Sequence, residues 1–289
     1  MPFSPSSSLR AAAVAAALIL ALSACAPATD PAADPSTPAA AALPGTHIHG
    51  LSVNADTGQV LLATHDGLFD VTNQPATKIG ATIDWMGFTP GHDEGVFYAS
   101  GHPGAGSDLP NPLGLMKSRD GGKTWEQLSQ QGQSDFHALT TTKSGIVAFD
   151  GTLRTSPDGT TWTTVAAGFA PAVLTGHPHS DTVLATTPKG IQRSTDAGKT
   201  WALMTSGPVI QFAAFANPTE AAGVEPDGTV HTSADGGSTW TKKGRIEGEV
   251  QAIAATTNTD GKSGIWAATS AGIFLSADGG TTFQPFEHA

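Results

Sequence analysis

The chain has 289 residues, with 34 glycines and 20 prolines, together about a fifth of the total against roughly 12% in an average protein. Charged residues are only 13%, about half the usual share, which excludes a coiled coil or other long-helix protein, and a hydrophobic share of 39% excludes wholesale disorder. The formal net charge of −11 excludes a phosphate-backbone partner, so no nucleic acid is expected; many turn formers and few charges predict short strands joined by tight turns.

The chain opens with Arg10, then an apolar run from Ala11 to Ala21 that is too short to span a bilayer, then Leu22-Ser23-Ala24-Cys25. This segment resembles a bacterial lipobox. The resemblance implies a lipoprotein signal peptide over residues 1–24, lipidation of Cys25, and anchoring on the outer side of the bacterial cytoplasmic membrane. The alternative is an ordinary signal peptide cleaved after Ala24. Cys25 is the single cysteine, which leaves no disulfide framework and no cysteine-based zinc site. Residues 25–44 are, after Cys25, almost all Ala, Pro, Thr and Asp with almost nothing to bury, and read as a disordered tether. The globular part is then 45–289.

Within it a motif repeats. Ser118-Arg119-Asp120-Gly121-Gly122-Lys123-Thr124-Trp125 recurs around Asp196 and Asp235, around Asp278 with Phe283 for Trp, and around Asp158 one residue shorter. The aspartates follow one another at 38, 38, 39 and 43 residues, the period of a propeller blade. Asp-Gly and Gly-Gly are hairpin dipeptides, the aspartate accepts the turn's own N–H groups, and the closing Trp starts the next strand with a large apolar face. The pattern is similar to the Asp-box, or BNR, repeat of sialidases and sortilin-type receptors. That resemblance implies an all-β, six-bladed β-propeller with the box on the turn between the third and fourth strands of each blade, and it makes the five aspartates structural.

In chain order, His47–Val53, Val60–Thr64 and Gly67–Val71 fit a first blade whose Asp-box has decayed. Blade 2 reads Met86–Thr89, Val96–Ser100, Leu113–Ser118 and Thr124–Leu128, with one long insertion after its second strand. Blade 3 starts with Phe136–Thr140, blade 4 with Ala172–Thr175, blade 5 with Ile210–Phe215 and blade 6 with Val250–Ala255. How the ring closes is not legible.

Six of ten histidines fall between residues 47 and 137. His47 and His49 alternate on an innermost strand and point to one face. With His65, His102 and His137 they map to the channel or to the face carrying the inter-blade connections, here the top. Asp84, Asp108, Asp135 and Asp150 map to the same side. His92, His177 and His179 map to bottom turns. Imidazoles with carboxylates suit a transition metal, for which all five upper histidines are candidates, or acid–base groups for a small ligand. Each histidine can equally fill space and hydrogen-bond backbone. The insertion from His102 to Gly114, holding Asp108, is the candidate lid.

Segments such as His47-Ile48-His49-Gly50-Leu51, Trp85-Met86-Gly87-Phe88-Thr89 and Asp135-Phe136-His137-Ala138-Leu139 resemble exported bacterial BNR-repeat proteins often labelled glycosyl hydrolase or exo-α-sialidase. Sialidases need a tyrosine nucleophile and an arginine triad. Beyond Arg10 this chain has Tyr98 and only Arg119, Arg154, Arg193 and Arg245, which cannot assemble that triad on the top. The expectation is a non-catalytic, lipid-anchored propeller that binds a glycan, metal or protein partner through its top face. The alternative is a glycosidase using two carboxylates among Asp84, Asp135 and Glu249.

Overall fold

The computed structural model describes residues 43–45, 47–258 and 261–287. The signal segment, Cys25 and nearly all of the tether therefore lie outside the described residues. Within them no residue is helical, and 24 strands form six four-stranded antiparallel sheets, each made of consecutive strands in chain order. The innermost strands are Ile48–Val53, Ile83–Pro90, Ala138–Thr142, Val173–Gly176, Phe212–Phe215 and Val250–Thr257. Each packs on the next, and the last packs on the first. The fold is a six-bladed β-propeller.

The blades hold each other by side chains. The second strand of blade 1, Val60–Thr64, is buried along its whole length. Its side chains alternate between two neighbours, as the strand period of 2 requires. Val60 and Leu62 enter an apolar cluster with Ala252, Trp266 and Ala268 of blade 6. Leu61 and Ala63 enter another with Ile83, Trp85 and Ala99 of blade 2. Ring closure is thus apolar contact between the first and last blades, with no strand exchanged between them. A polar tie crosses the same seam, Ile48 N–H donating to Gln251 Oε1 at 3.3 Å.

The repeated turns are stitched by their own side chains. Ser118 Oγ donates to Asp120 Oδ1 at 2.9 Å and accepts from Gly122 N–H at 2.8 Å. Thr124 donates to the aspartate twice, from N–H at 2.9 Å and from Oγ1 at 2.6 Å. The arrangement recurs at Asp196, Asp235 and Asp278, and in shortened form at Asp158. Hydrogen bonds from the following threonine hold Asp120, Asp235 and Asp278 down to about 2, since they favour the ionised carboxyl. All five aspartates bond within their own turns.

Several sequence expectations need correction. The innermost strand of blade 2 runs Ile83–Pro90 rather than Met86–Thr89, which places Asp84 on the strand. The tryptophan of the repeat does not start the fourth strand; that strand begins just after it, at Glu126, Thr163, Ala202 and Thr241. The ring is held by packing and, in blades 2, 4 and 5, by an indole N–H returned to the turn, as in Trp125 Nε1 to Gly122 O at 3.0 Å. Blade 1 has a fourth strand, Thr77–Ile79, paired with Gly67–Asp70 and lacking the repeated turn. Blade 1's innermost strand starts at Ile48 rather than His47. The innermost strand of blade 3 starts at Ala138 rather than Phe136, because Phe136 N–H turns aside to Ser100 Oγ at 3.0 Å.

Leu62 is fully buried in the closing seam. Leu62→Ala is expected to lower the unfolding free energy in urea by about 2–5 kcal/mol. A loss well under 1 kcal/mol would show that closure does not depend on this seam.

Candidate functional site

Three blades bring their polar residues to one place. In a four-stranded meander, the start of the innermost strand and the turn between strands two and three lie at the same end. Blade 1 contributes His47 and His49 from that start and His65 from that turn. The turn is a tight hairpin, Thr64-His65-Asp66-Gly67. Thr64 Oγ1 donates to Gly67 O at 3.0 Å and accepts from Asp66 N–H at 3.1 Å. Gly67 has φ +128°, a conformation that L side chains rarely adopt. The equivalent turns of blades 4 and 6 share the threonine and glycine but carry Pro188 and Ser270 where blade 1 has His65. His65 is then tied to the strand start, its N–H donating to His47 O at 3.4 Å.

The three imidazoles lie together. Ring centres are 4.6 Å apart for His49 and His65, 5.3 Å for His47 and His65, and 6.3 Å for His47 and His49. Beside them is Asp84 of blade 2, whose Oδ1 is 3.6 Å from His65 Nδ1. Asp84 sits directly across the sheet from His102. Blade 2 makes this possible by a bulge between Trp85 and Gly87 opposite Gly101. A Cβ at Gly101 would lie 1.9 Å from Asp84 O, so the strand tolerates only glycine there.

The second half of the site centres on Asp135. Its Oδ2 receives His102 Nε2 at 3.0 Å and His137 Nε2 at 2.5 Å. The other nitrogen of His102, Nδ1, is 2.7 Å from Asn111 Oδ1. That bond, with Asp135 and Asp84 nearby, raises the His102 pKa despite partial burial. Burial acts the other way on His49, whose pKa is held down to about 4, with His65 adding repulsion. The site therefore pairs a histidine inclined to carry charge with one that stays neutral. Three of its atoms are buried without a hydrogen-bond partner: His49 Nε2, Asp84 Oδ1 and Asp135 Oδ1. Below them the central channel is lined by Met86, Leu51, Phe88, Leu139 and Ile253 among others, with Gln251 near its upper end.

The structure thus brings together His47, His49, His65, His102 and His137 with Asp84 and Asp135. It leaves out Asp108, which is exposed on the insertion. The insertion reaches the site through Asn111 instead, a neutral amide that sequence reasoning passed over. Glu249 is exposed and makes no ion pair among the described residues. Asp150 serves blade 3 internally, accepting from Ser134 Oγ at 2.6 Å and pairing with Arg154 at 3.3 Å. His137 lies just before its strand rather than on it. A half-buried pair missed in the sequence, His231 Nε2 to Glu225 Oε1 at 2.5 Å, lies apart on blade 5.

The four described arginines are all engaged elsewhere. Arg119 pairs with Glu126, Arg154 with Asp150, Arg245 with Asp227 and Glu247, and Arg193 Nε donates to Gly236 O. Tyr98 packs beneath Lys117, whose Nζ is 5.1 Å from the ring centre. As the side chains stand, no three His, Cys, Asp or Glu groups among the described residues close on one metal position.

The bottom histidines also cluster, His179 lying 5.7 Å from His92 and 5.5 Å from His177 between ring centres. Their nitrogens have local duties. His92 Nε2 bonds Thr142 O at 3.1 Å, and His177 Nδ1 accepts from His179 N–H at 3.2 Å. An imidazole that accepts at Nδ1 carries its proton on Nε2, so His177 has no lone pair left to offer a ligand.

No protein-family model matches the sequence, and comparison with curated proteins finds no match. Solved structures share the architecture. An ancestral GH74 enzyme is 13% identical, with a TM-score of 0.54 over 86% of this chain and 39% of its own. The GH74 enzyme of Niastella koreensis is 15% identical, with a TM-score of 0.53 over 83% of this chain and 54% of its own. U3-55K is 10% identical, with a TM-score of 0.52 over 83% of this chain and 81% of its own. The chain therefore spans about two fifths to one half of the two GH74 enzymes. At these identities the likeness carries the propeller and not the chemistry.

Histidine-resolved NMR titration tests the electrostatics. His49 is expected to stay neutral down to about pH 4, and His102 to titrate above the usual value of about 6.5. Asn111→Ala is expected to bring His102 back down. Because an unfolded histidine protonates near pH 6.5, the His49 contribution to stability is complete above that pH and declines as pH falls toward 4. A His49 titrating near pH 6.5 would contradict the buried geometry.

Proposed function

We propose that the chain is an exported propeller of the BNR/Asp-box type, lipid-anchored through Cys25 to the outer side of the bacterial cytoplasmic membrane. In this reading it binds a ligand or partner through its histidine- and aspartate-rich top face, without catalysis. The observation that carries it is the set of three buried, unpartnered atoms, His49 Nε2, Asp84 Oδ1 and Asp135 Oδ1, in one cluster of five imidazoles and two carboxylates. A buried polar atom left unpaired costs about 1–3 kcal/mol. Three in one cluster are a cost that a bound polar group removes. The five stitched turns and the lipobox-like Leu22-Ser23-Ala24-Cys25 support the family and the anchoring.

The two GH74 neighbours make hydrolysis the second reading, with Asp84 and Asp135 as the carboxylate pair. Two observations weigh against it. Asp135 Oδ2 is already taken by His102 and His137, and Glu249 stands outside the site. A sialidase reading lacks its arginine clamp, since every described arginine is engaged elsewhere.

The test is a binding panel of neutral and acidic oligosaccharides, short peptides and divalent metal ions, read by calorimetry with a parallel assay for reducing sugar. At least one member is expected to bind and to weaken tenfold or more in His102→Ala or His49→Ala, with no sugar released. Binding by no member would contradict the reading. Sugar release abolished by Asp135→Asn would replace it with the hydrolase.

A further inference from the structure

We propose that His47, His49 and His65 are the ligands of one divalent first-row transition-metal ion, with Asp84 as the outer carboxylate that orients His65. The inference rests on the top face being a ligand site and names what the blade 1 half of it takes.

The spacing of the rings is the first ground. With a metal–nitrogen bond of about 2.0–2.1 Å, the centre of a ligating imidazole lies about 3.2 Å from the ion, and two rings at a tetrahedral angle are then about 5 Å apart. The observed 4.6, 5.3 and 6.3 Å surround that value. The second ground is the lack of any other bonding that would gather them. No hydrogen bond joins the three rings to one another among the described residues, and His49 Nε2 is buried without a partner. Three imidazoles held together with no shared proton are arranged as lone-pair donors to something else, and neutral imidazole suits zinc, copper and nickel. The third ground is Asp84. A metal-bound histidine commonly gives its second ring nitrogen to a carboxylate, and Asp84 Oδ1 stands 3.6 Å from His65 Nδ1 with no hydrogen bond of its own.

The donor atoms do not yet meet at one point. His47 is exposed and His65 is partly exposed, so their rings can turn toward the inner His49, whose position is set by the strand. The bottom cluster is the contrast. Its rings have similar spacing, yet His92 Nε2 and His177 Nδ1 are already bonded to backbone.

The experiment uses the full chain, stripped with chelator and titrated calorimetrically with Zn²⁺ and with Cu²⁺, and the copper form is examined by electron paramagnetic resonance. One equivalent of at least one ion is expected, with nitrogen hyperfine structure in the copper spectrum. Affinity is expected to fall at least a hundredfold in His49→Gln and His65→Gln, and about tenfold in Asp84→Asn. His177→Ala is expected to bind as the unaltered chain does. Circular dichroism establishes that each variant is folded, and the glutamine variants preserve side-chain bulk. No uptake of either ion, uptake unchanged in both glutamine variants, or equal loss in His177→Ala would overturn the proposal. If oligosaccharides or peptides bind through His102 while neither ion binds, this inference alone fails. If nothing binds at all, the reading of the top face fails with it.

Discussion

The constraint on which the molecule depends is that each blade must be covered on both faces. A four-stranded sheet with a buried residue at every position of its second strand cannot stand alone. Val60–Thr64 shows the consequence, with alternate side chains committed to the clusters on either side. Such a strand fixes the spacing and rotation of its blade relative to both neighbours at once. The ring is closed by the same means, blade 6 against blade 1, and this packing sets which strand starts and turns stand at the channel mouth.

The polar site is what that rigid frame presents. Three adjacent blades deliver their strand starts and hairpin turns to one side of the upper rim. Blade 1 supplies three imidazoles on a fixed strand and a stitched turn, blade 2 a carboxylate placed by a bulge, and blade 3 a carboxylate that binds two further histidines. The halves differ in chemistry. Around Asp135 two histidines take Oδ2 and Asn111 completes His102, which leaves only Oδ1 without a partner. Around His49 and Asp84 no such bonding forms, so the two halves suit different parts of a ligand. The bottom turns have histidines as well, but there His92 Nε2 and His177 Nδ1 are bonded to the backbone.

Much of this was legible in the chain. The fivefold Ser-x-Asp turn sets the period and therefore the blades, and His-x-His at 47–49 reveals one face of one strand. The misses have physical causes. Blade 1's fourth strand lacks the stitched turn, and Thr77–Ile79 is exposed or half-buried with no apolar pattern to mark it. Asp108, the charged group of the insertion, is exposed, whereas Asn111 makes the contact, because a neutral amide can satisfy a histidine nitrogen at lower desolvation cost. Glu249 stands at the correct end of blade 6 yet remains exposed; topology assigns an end of the sheet, not the direction of a side chain. Ring closure was invisible because it is made by Val60, Leu62, Trp266 and Ala268, residues that look like any other core.

The account turns on the three unpartnered atoms at the channel mouth. A crystal structure of the purified chain at a resolution that shows ordered solvent, with anomalous data collected above the copper and zinc edges, addresses them directly. A non-protein group is expected within bonding distance of at least one of His49 Nε2, Asp84 Oδ1 and Asp135 Oδ1. Side chains rotated so that all three bond only to protein atoms, with no group between them, would contradict it.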